Sequence, residues 1–146
     1  MEQFYYISPY KINFMEKVIN CILIDDDSED HEFFEIAIMQ TQLQIHCTYF
    51  KCGIEAADHL KILTQYHPDF LFLDWNMPKL DNYDYLISLK QIPILKNTQF
   101  IIHSGYISPD EIKDLQYTYN CRFLKKASSI QNLTTNLHSI FAWTNQ

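Results

Sequence analysis

The residues best equipped for chemistry are carboxylates that end apolar runs. Phe70-Leu71-Phe72-Leu73 stops on Asp74 and continues as Trp75-Asn76-Met77-Pro78, and Cys21-Ile22-Leu23-Ile24 stops on Asp25-Asp26-Asp27. Short apolar runs of this kind read as strands buried on both faces. Two such strands ending on acids bring the acids to one edge of a parallel sheet, where α/β proteins place their ligand sites. Acids gathered in one crevice repel each other unless a cation joins them. Mg2+ takes oxygen ligands in octahedral array and usually keeps several waters beside one or two carboxylates. Asp26 and Asp74 offer carboxylate oxygens for it, and Asn76 offers its backbone carbonyl. A carboxylate is also a nucleophile toward phosphorus, giving an aspartyl phosphate. A cation, a Lys and a hydroxyl then hold the oxygens of the transferring group. Two other run ends supply the Lys and the hydroxyl, at Lys125/Lys126 and Ser104.

The elements that must position these residues follow from the hydrophobic pattern. Strands are expected at 20–24, 45–50, 70–73, 99–103 and 122–125, each a short run of β-prone residues. Helical periodicity fills the intervals at about 30–42, 54–66, 82–90, 109–119 and 129–143. The fourth helix has a start signal: Ser108 as cap, Pro109 in the first position and Glu111 three after the cap. Five strands alternating with five helices, without tight hairpin signals, predict a parallel sheet covered on both faces. Right-handed crossovers make it a doubly wound, three-layer α/β sandwich.

Composition bounds the function. A chain of 146 residues, 47% hydrophobic and 20% charged, fits one domain with a real core. The formal net charge of -7 argues against direct nucleic-acid binding, which wants a basic face. Cys21, Cys47, Cys52 and Cys121 form no CxxC pair and read as small apolar residues in a reducing compartment. No apolar run reaches membrane-spanning length, and the expected location is cytoplasmic. Residues 1–17 read as an N-terminal extension, with Met15 as an alternative translation start. The domain proper is expected over 18–146, with no appended output domain.

Together these motifs resemble the receiver domain of two-component response regulators, of the stand-alone kind to which the bacterial chemotaxis regulator belongs. Ile24-Asp25-Asp26-Asp27, Leu73-Asp74-Trp75-Asn76-Met77-Pro78, Ser104-Gly105 and a Lys after the fifth strand carry the resemblance. It covers about 18–141. It implies a flavodoxin-like (βα)5 fold and a non-enzymatic phosphoacceptor. Asp74 would take a phosphoryl group from a histidine kinase or phosphotransfer protein, with Mg2+, or Mn2+ in its place, as cofactor. Asp25 and Asp26 would be the acidic pair, Asp26 the direct metal ligand and Asp25 acting partly through water. Asn76 would bind the metal through its main-chain oxygen. Ser104 would be the switch hydroxyl and Gly105 the small residue that leaves room for the phosphoryl group. The output would be a downstream protein target reached through the fourth helix, fifth strand and fifth helix, without nucleic-acid or membrane contact.

The lysine has two registers. Counting back from Ser128-Ser129 and Leu133 selects Lys126 and puts the family's switch aromatic at Phe123. Counting forward from Asn120-Cys121 selects Lys125 and leaves Arg122 at the aromatic position. Strand alternation lets only one of the two point into the site, and Lys126 is adopted. Two departures stand out: Ala127 where the family usually has Pro after the Lys, and Asn82 where it commonly has Gly. Asn82 suits a left-handed backbone better than other non-glycine residues.

Blander readings compete at each position. Asp27 and Ser28 read as helix caps. The histidines lack metal-ligand spacing, and alternation turns His103 away from the site as a packing residue. Trp75 is read as a gate beside the acceptor and Tyr106 as a rim residue. Two other functions remain open. One is a receiver-fold adaptor that binds partners without phosphorylation, left open by Ala127. The other is a phosphatase, which commonly needs a second acid two residues after its nucleophile, where Asn76 stands.

Overall fold

A computed structural model describes residues 17–142; residues 1–16 of the expected N-terminal extension, with Met15, and the expected end of the last helix at Trp143 lie outside the described residues. Strand β1 (Ile19–Ile24) leads into α1 (Ser28–Thr41), then β2 (Ile45–Phe50) and α2 (Gly53–Lys61). Next come β3 (Phe70–Asp74), α3 (Asn82–Lys90), β4 (Gln99–Ser104), α4 (Pro109–Tyr117), β5 (Arg122–Lys125) and α5 (Ile130–Phe141). The strands form one parallel sheet in the order β2-β1-β3-β4-β5. That order places β1 and β3 side by side and puts the switch point of the winding between them, so Asp25 and Asp74 leave the sheet at one crevice. The doubly wound sandwich expected from the alternation is the one formed.

Strand alternation divides the apolar residues into two cores. Ile22, Ile24, Leu71, Leu73, Phe100 and Ile102 face α2, α3 and α4. Cys21, Leu23, Phe70, Phe72 and Ile101 face α1 and α5. The second core is aromatic: the Phe72 ring meets Phe34 at 5.0 Å and Phe141 at 6.0 Å, both edge-on, a geometry that adds to plain burial. Strand β3 is buried along its whole length, as a central parallel strand covered on both faces must be.

Several boundaries differ from the sequence expectation, each for a local reason. Helix α1 starts at Ser28 because Asp27 caps it, its side chain accepting from Glu29 N at 2.9 Å. Helix α2 ends at Lys61 and α4 at Tyr117. A single 3-10 turn, Pro93–Leu95, carries the chain from α3 to β4. The left-handed residue of the loop after Asp74 is Lys79, with φ of 67°, and not Asn82. Asp81 takes the cap, its side chain accepting from Asp84 N, which makes Asn82 the first helical residue. Every described peptide bond is trans, including the one before Ala127. Gly53 sits under a close approach: a Cβ there would lie 2.6 Å from Leu80 Cδ1 and 2.9 Å from the Tyr85 ring, whose hydroxyl donates to Gly53 O, so a larger residue would have to displace them.

Candidate functional site

The carboxyl edge of the sheet gathers the acids as expected. Oxygens of Asp25, Asp26 and Asp74 lie within 4.8 Å of one another. Asp25, the first residue beyond β1, is fully buried; Asp74, the last of β3, is 6% exposed; Asp26 faces solvent. Asp25 is held by local geometry, its Oδ1 accepting from Asp27 N at 2.9 Å. Its carbonyl oxygen meets His31 Nε2 at 2.6 Å, which ties the loop to α1.

Lys126 is the lysine that enters this cluster. Its Nζ lies 3.1 Å from Asp25 Oδ2 and 3.4 Å from Asp74 Oδ1. Lys125, the last residue of β5, is exposed. The register is locked by Lys126 N, which donates to Ser104 O at 2.8 Å and extends the β4–β5 ladder by one step. The same register makes Phe123 a half-buried neighbour of the core that faces α3 and α4.

Ser104, 1% exposed, ends β4 and accepts from Asn76 Nδ2 at 3.1 Å. Its hydroxyl points toward Tyr106 O at 3.4 Å. The Asn76 amide therefore bridges the loop after Asp74 to the end of β4, a link that spacing alone did not suggest. Gly105 opens into free space: a Cβ there would meet nothing within 4 Å. That room lies directly beyond Ser104. Tyr106 is largely exposed at the rim.

Two sequence readings of nearby residues separate here. His103 is 4% exposed on the face covered by α1, with the Phe34 ring edge-on at 6.0 Å. It packs, as alternation required. Trp75 is no gate. It is 2% exposed, its ring edge-on to Tyr83 at 5.0 Å and its Nε1 donating to Glu111 Oε2 at 3.3 Å. The indole turned inward because the residue after Asp74 falls on the face covered by α3 and α4. Glu111 serves it while also completing the cap of α4: Glu111 N donates to Ser108 Oγ at 3.2 Å.

A fourth acid, read only as part of a helix start, joins the cluster. Asp30 Oδ2 lies 2.6 Å from Lys126 Nζ, closer than either strand-end acid. The signal was its place one helical turn beyond the Asp25–Asp27 loop; nothing in the spacing distinguishes it from Glu29.

The electrostatics follow from this crowding. Burial raises Asp25 to about 7, reinforced by Asp74, while the Asp27 N–H and Lys126 pull down and lose. Burial likewise raises Asp74 against the pull of Lys126 and the Asn76 N–H. For Asp30, burial also favours the neutral form, but the hydrogen bond and charge of Lys126 win and lower it. Lys126 loses hydration on burial, yet Asp30, Asp25 and Asp74 raise it above its ordinary value. Burial pushes His103 down to about 4. One ammonium thus serves three carboxylates and leaves the edge short of positive charge. The buried Asp25 Oδ2 has Lys126 nearby but no aligned hydrogen bond. A divalent cation fits this set: hard oxygens, excess negative charge and an orphaned buried acceptor.

No family model matches the chain. It is 23% identical over 117 residues to response regulator Rcp1 of Synechocystis sp., across 77% of this chain and 79% of that protein. The crystal structure of the Mn(2+)-bound form of Rcp1 superposes with a TM-score of 0.67 at 20% identity, over 84% of this chain and 91% of that one. The receiver domain of the Francisella response regulator 1452 gives 0.65 at 25% identity, over 86% and 98%. The phosphorylated cyanobacterial phytochrome response regulator RcpA gives 0.67 at 23%, over 85% and 91%. Likeness of sequence and likeness of fold converge on the receiver domains of two-component response regulators, which this chain resembles throughout its described length.

Proposed function

We propose that this receiver domain is a phosphorylation switch whose acceptor is Asp74. The observation that carries the reading is the placement of Asp74 within 4.8 Å of Asp25 and Asp26 and 3.4 Å from the Lys126 ammonium. In the transfer, an Asp74 oxygen attacks the phosphorus of a phosphohistidine on a kinase or phosphotransfer protein. The N–P bond breaks as the O–P bond forms, and the electron pair stays on the imidazole, which takes up a proton. Mg2+, or Mn2+ in its place, held by Asp25, Asp26, Asp74 and the Asn76 carbonyl, would neutralise the developing charge. Lys126 takes one phosphoryl oxygen, Ser104 another, and the open space beyond Gly105 admits the group. Water later attacks the phosphorus and restores the Asp74 carboxylate. Two likenesses support this: one similar protein was crystallised with Mn2+ and another in its phosphorylated form.

The output is a change of protein-binding surface. Ser104 moves toward the phosphoryl group and Phe123 follows, so that α4, β5 and α5 present a different face to a protein target. The chemistry needs no catalysed turnover of a foreign substrate. Among the described residues no helix is long and apolar enough to cross a membrane. Intact mass after exposure to a small phosphodonor with Mg2+ tests the reading. One phosphoryl mass gained by the wild type and none by Asp74→Ala is the expected result; equal labelling of both would sink it.

A further inference from the structure

Lys126 has three donor hydrogens and three carboxylates around it, and the shortest contact is to the acid that belongs to neither strand end. Asp30 Oδ2 is 2.6 Å away, Asp25 Oδ2 3.1 Å and Asp74 Oδ1 3.4 Å. Asp30 is seated for this by the cap of α1: Asp27 fixes the first turn through Glu29 N, and Asp30 follows on the inward side, half-buried beside the crevice. On the sheet side of the pair lies His103, buried, without a hydrogen-bond partner and close enough to feel both charges. Neither of its ring nitrogens is hydrogen-bonded to Lys126. From the geometry we infer that Asp30 is a positioning residue: it anchors Lys126 to the first helix and so decides how much of the ammonium charge reaches Asp25 and Asp74. This rests on the reading of the acid cluster as a cation site and of Asp74 as acceptor.

The consequence is a division of labour among the acids. With the ammonium drawn toward Asp30, the three strand-end carboxylates keep more of their negative charge for a divalent cation. Without Asp30, Lys126 is free to settle between Asp25 and Asp74 and compete with that cation for the same oxygens. The anchor therefore favours metal binding in the unphosphorylated protein. Once Asp74 carries a phosphoryl group, the new oxygens compete with Asp30 for the same ammonium, so the anchor opposes the loaded state.

A double-mutant cycle tests this. Mg2+ affinity is measured by calorimetry on the wild type, Asp30→Asn, Lys126→Met and the double variant, all unphosphorylated. Glu29→Gln removes one charge from the same turn without an ion pair to Lys126. Asp30→Asn is expected to weaken Mg2+ binding about fivefold when Lys126 is present, a size typical of coupling within one ion-pair network. In the Lys126→Met background its effect should shrink to that of Glu29→Gln. Equal effects in both backgrounds would overturn the inference, because the loss would then be one of charge alone. Thermal unfolding of the same four proteins without Mg2+ should show the same coupling, and its absence there would also count against the anchor. Phosphodonor labelling of the wild type is run alongside. Labelling with additive Mg2+ effects refutes the anchor and leaves the acceptor standing. Coupling without labelling refutes the acceptor and leaves the anchor.

Discussion

Leu73 and Asp74 are neighbours on β3, both buried, and they answer to different demands. Leu73, 1% exposed, belongs to the apolar core beneath α2, α3 and α4. Burial of an apolar side chain there lowers the free energy. Asp74, one residue on, meets two other acids and a lysine already shared with Asp30. Burial works against its charge, and one ammonium is too little to compensate. The core is a place where the sequence has settled its accounts; the edge is left frustrated. A protein that stores unpaired negative charge at one end of a well-packed sheet gains a strong response to whatever supplies positive charge there.

The largest effect to separate the two regions is chemical. Asp74→Ala should lose all phosphoryl labelling while folding normally, because the edge contributes little to stability. Phe72→Ala should do the reverse. It empties a space between Phe34 and Phe141 and should cost about 3–5 kcal/mol in urea unfolding, with labelling retained wherever the fold survives. A phosphorylation-competent Asp74→Ala, or a Phe72→Ala that unfolds at the wild-type midpoint, would break the contrast between edge and core.

Metal should sharpen it. Mg2+ at a hundred times its Kd should stabilise the protein by about 2.7 kcal/mol, read as a rise in Tm. Asp26→Ala should lose most of that rise, although Asp26 is exposed and its removal should leave the metal-free protein near wild-type stability. A Tm that ignores Mg2+ in the wild type would mean that the edge is not short of positive charge.

The core and the edge also differ in how far the sequence reveals them. Leu71, Phe72 and Phe100 were legible because burial and strand period act within a few residues of the chain. The acids at 25, 26 and 74 were legible for a related reason: each ends an apolar run, and parallel strands align their ends. Phe123 and Lys126 are reached by register, and Lys126 rather than Lys125 enters the acid cluster because the ladder runs one step past β5. The contacts that failed to show were set by approach in space. Asp30 meets Lys126 across 96 residues of sequence, and no local pattern marks it. Position beside the acceptor suggests a gate at Trp75, whereas its direction is fixed by Tyr83 and Glu111 from two other helices. Asn82 was given a left-handed role that the Asp81 cap moved to Lys79.

The smallest expected effect in the wild type is a cancellation. Without metal, Asp25 titrates near 7 in the folded protein against about 3.9 unfolded. The unfolded chain therefore binds fewer protons between those values, and Asp25 makes stability fall as pH rises from about 4 to 7. His103 does the opposite. Its folded value near 4 lies below an unfolded value of about 6.5, so the unfolded chain binds more protons and stability falls as pH drops through the same window. The groups facing His103 are Lys126 of the β5–α5 loop and Asp30 of α1. Asp30 and Asp74 are shifted in opposite directions and partly offset each other too. The metal-free wild type should thus show little change in Tm between about pH 4.5 and 6.5. His103→Phe should unmask the acid at the edge and gain stability as pH falls. Asp25→Asn should unmask the imidazole behind it and lose stability over the same range, by up to about 3 kcal/mol. Two variants bending the profile the same way would mean that the buried imidazole and the buried acid do not titrate as a balanced pair, and that the edge is less frustrated than its geometry implies.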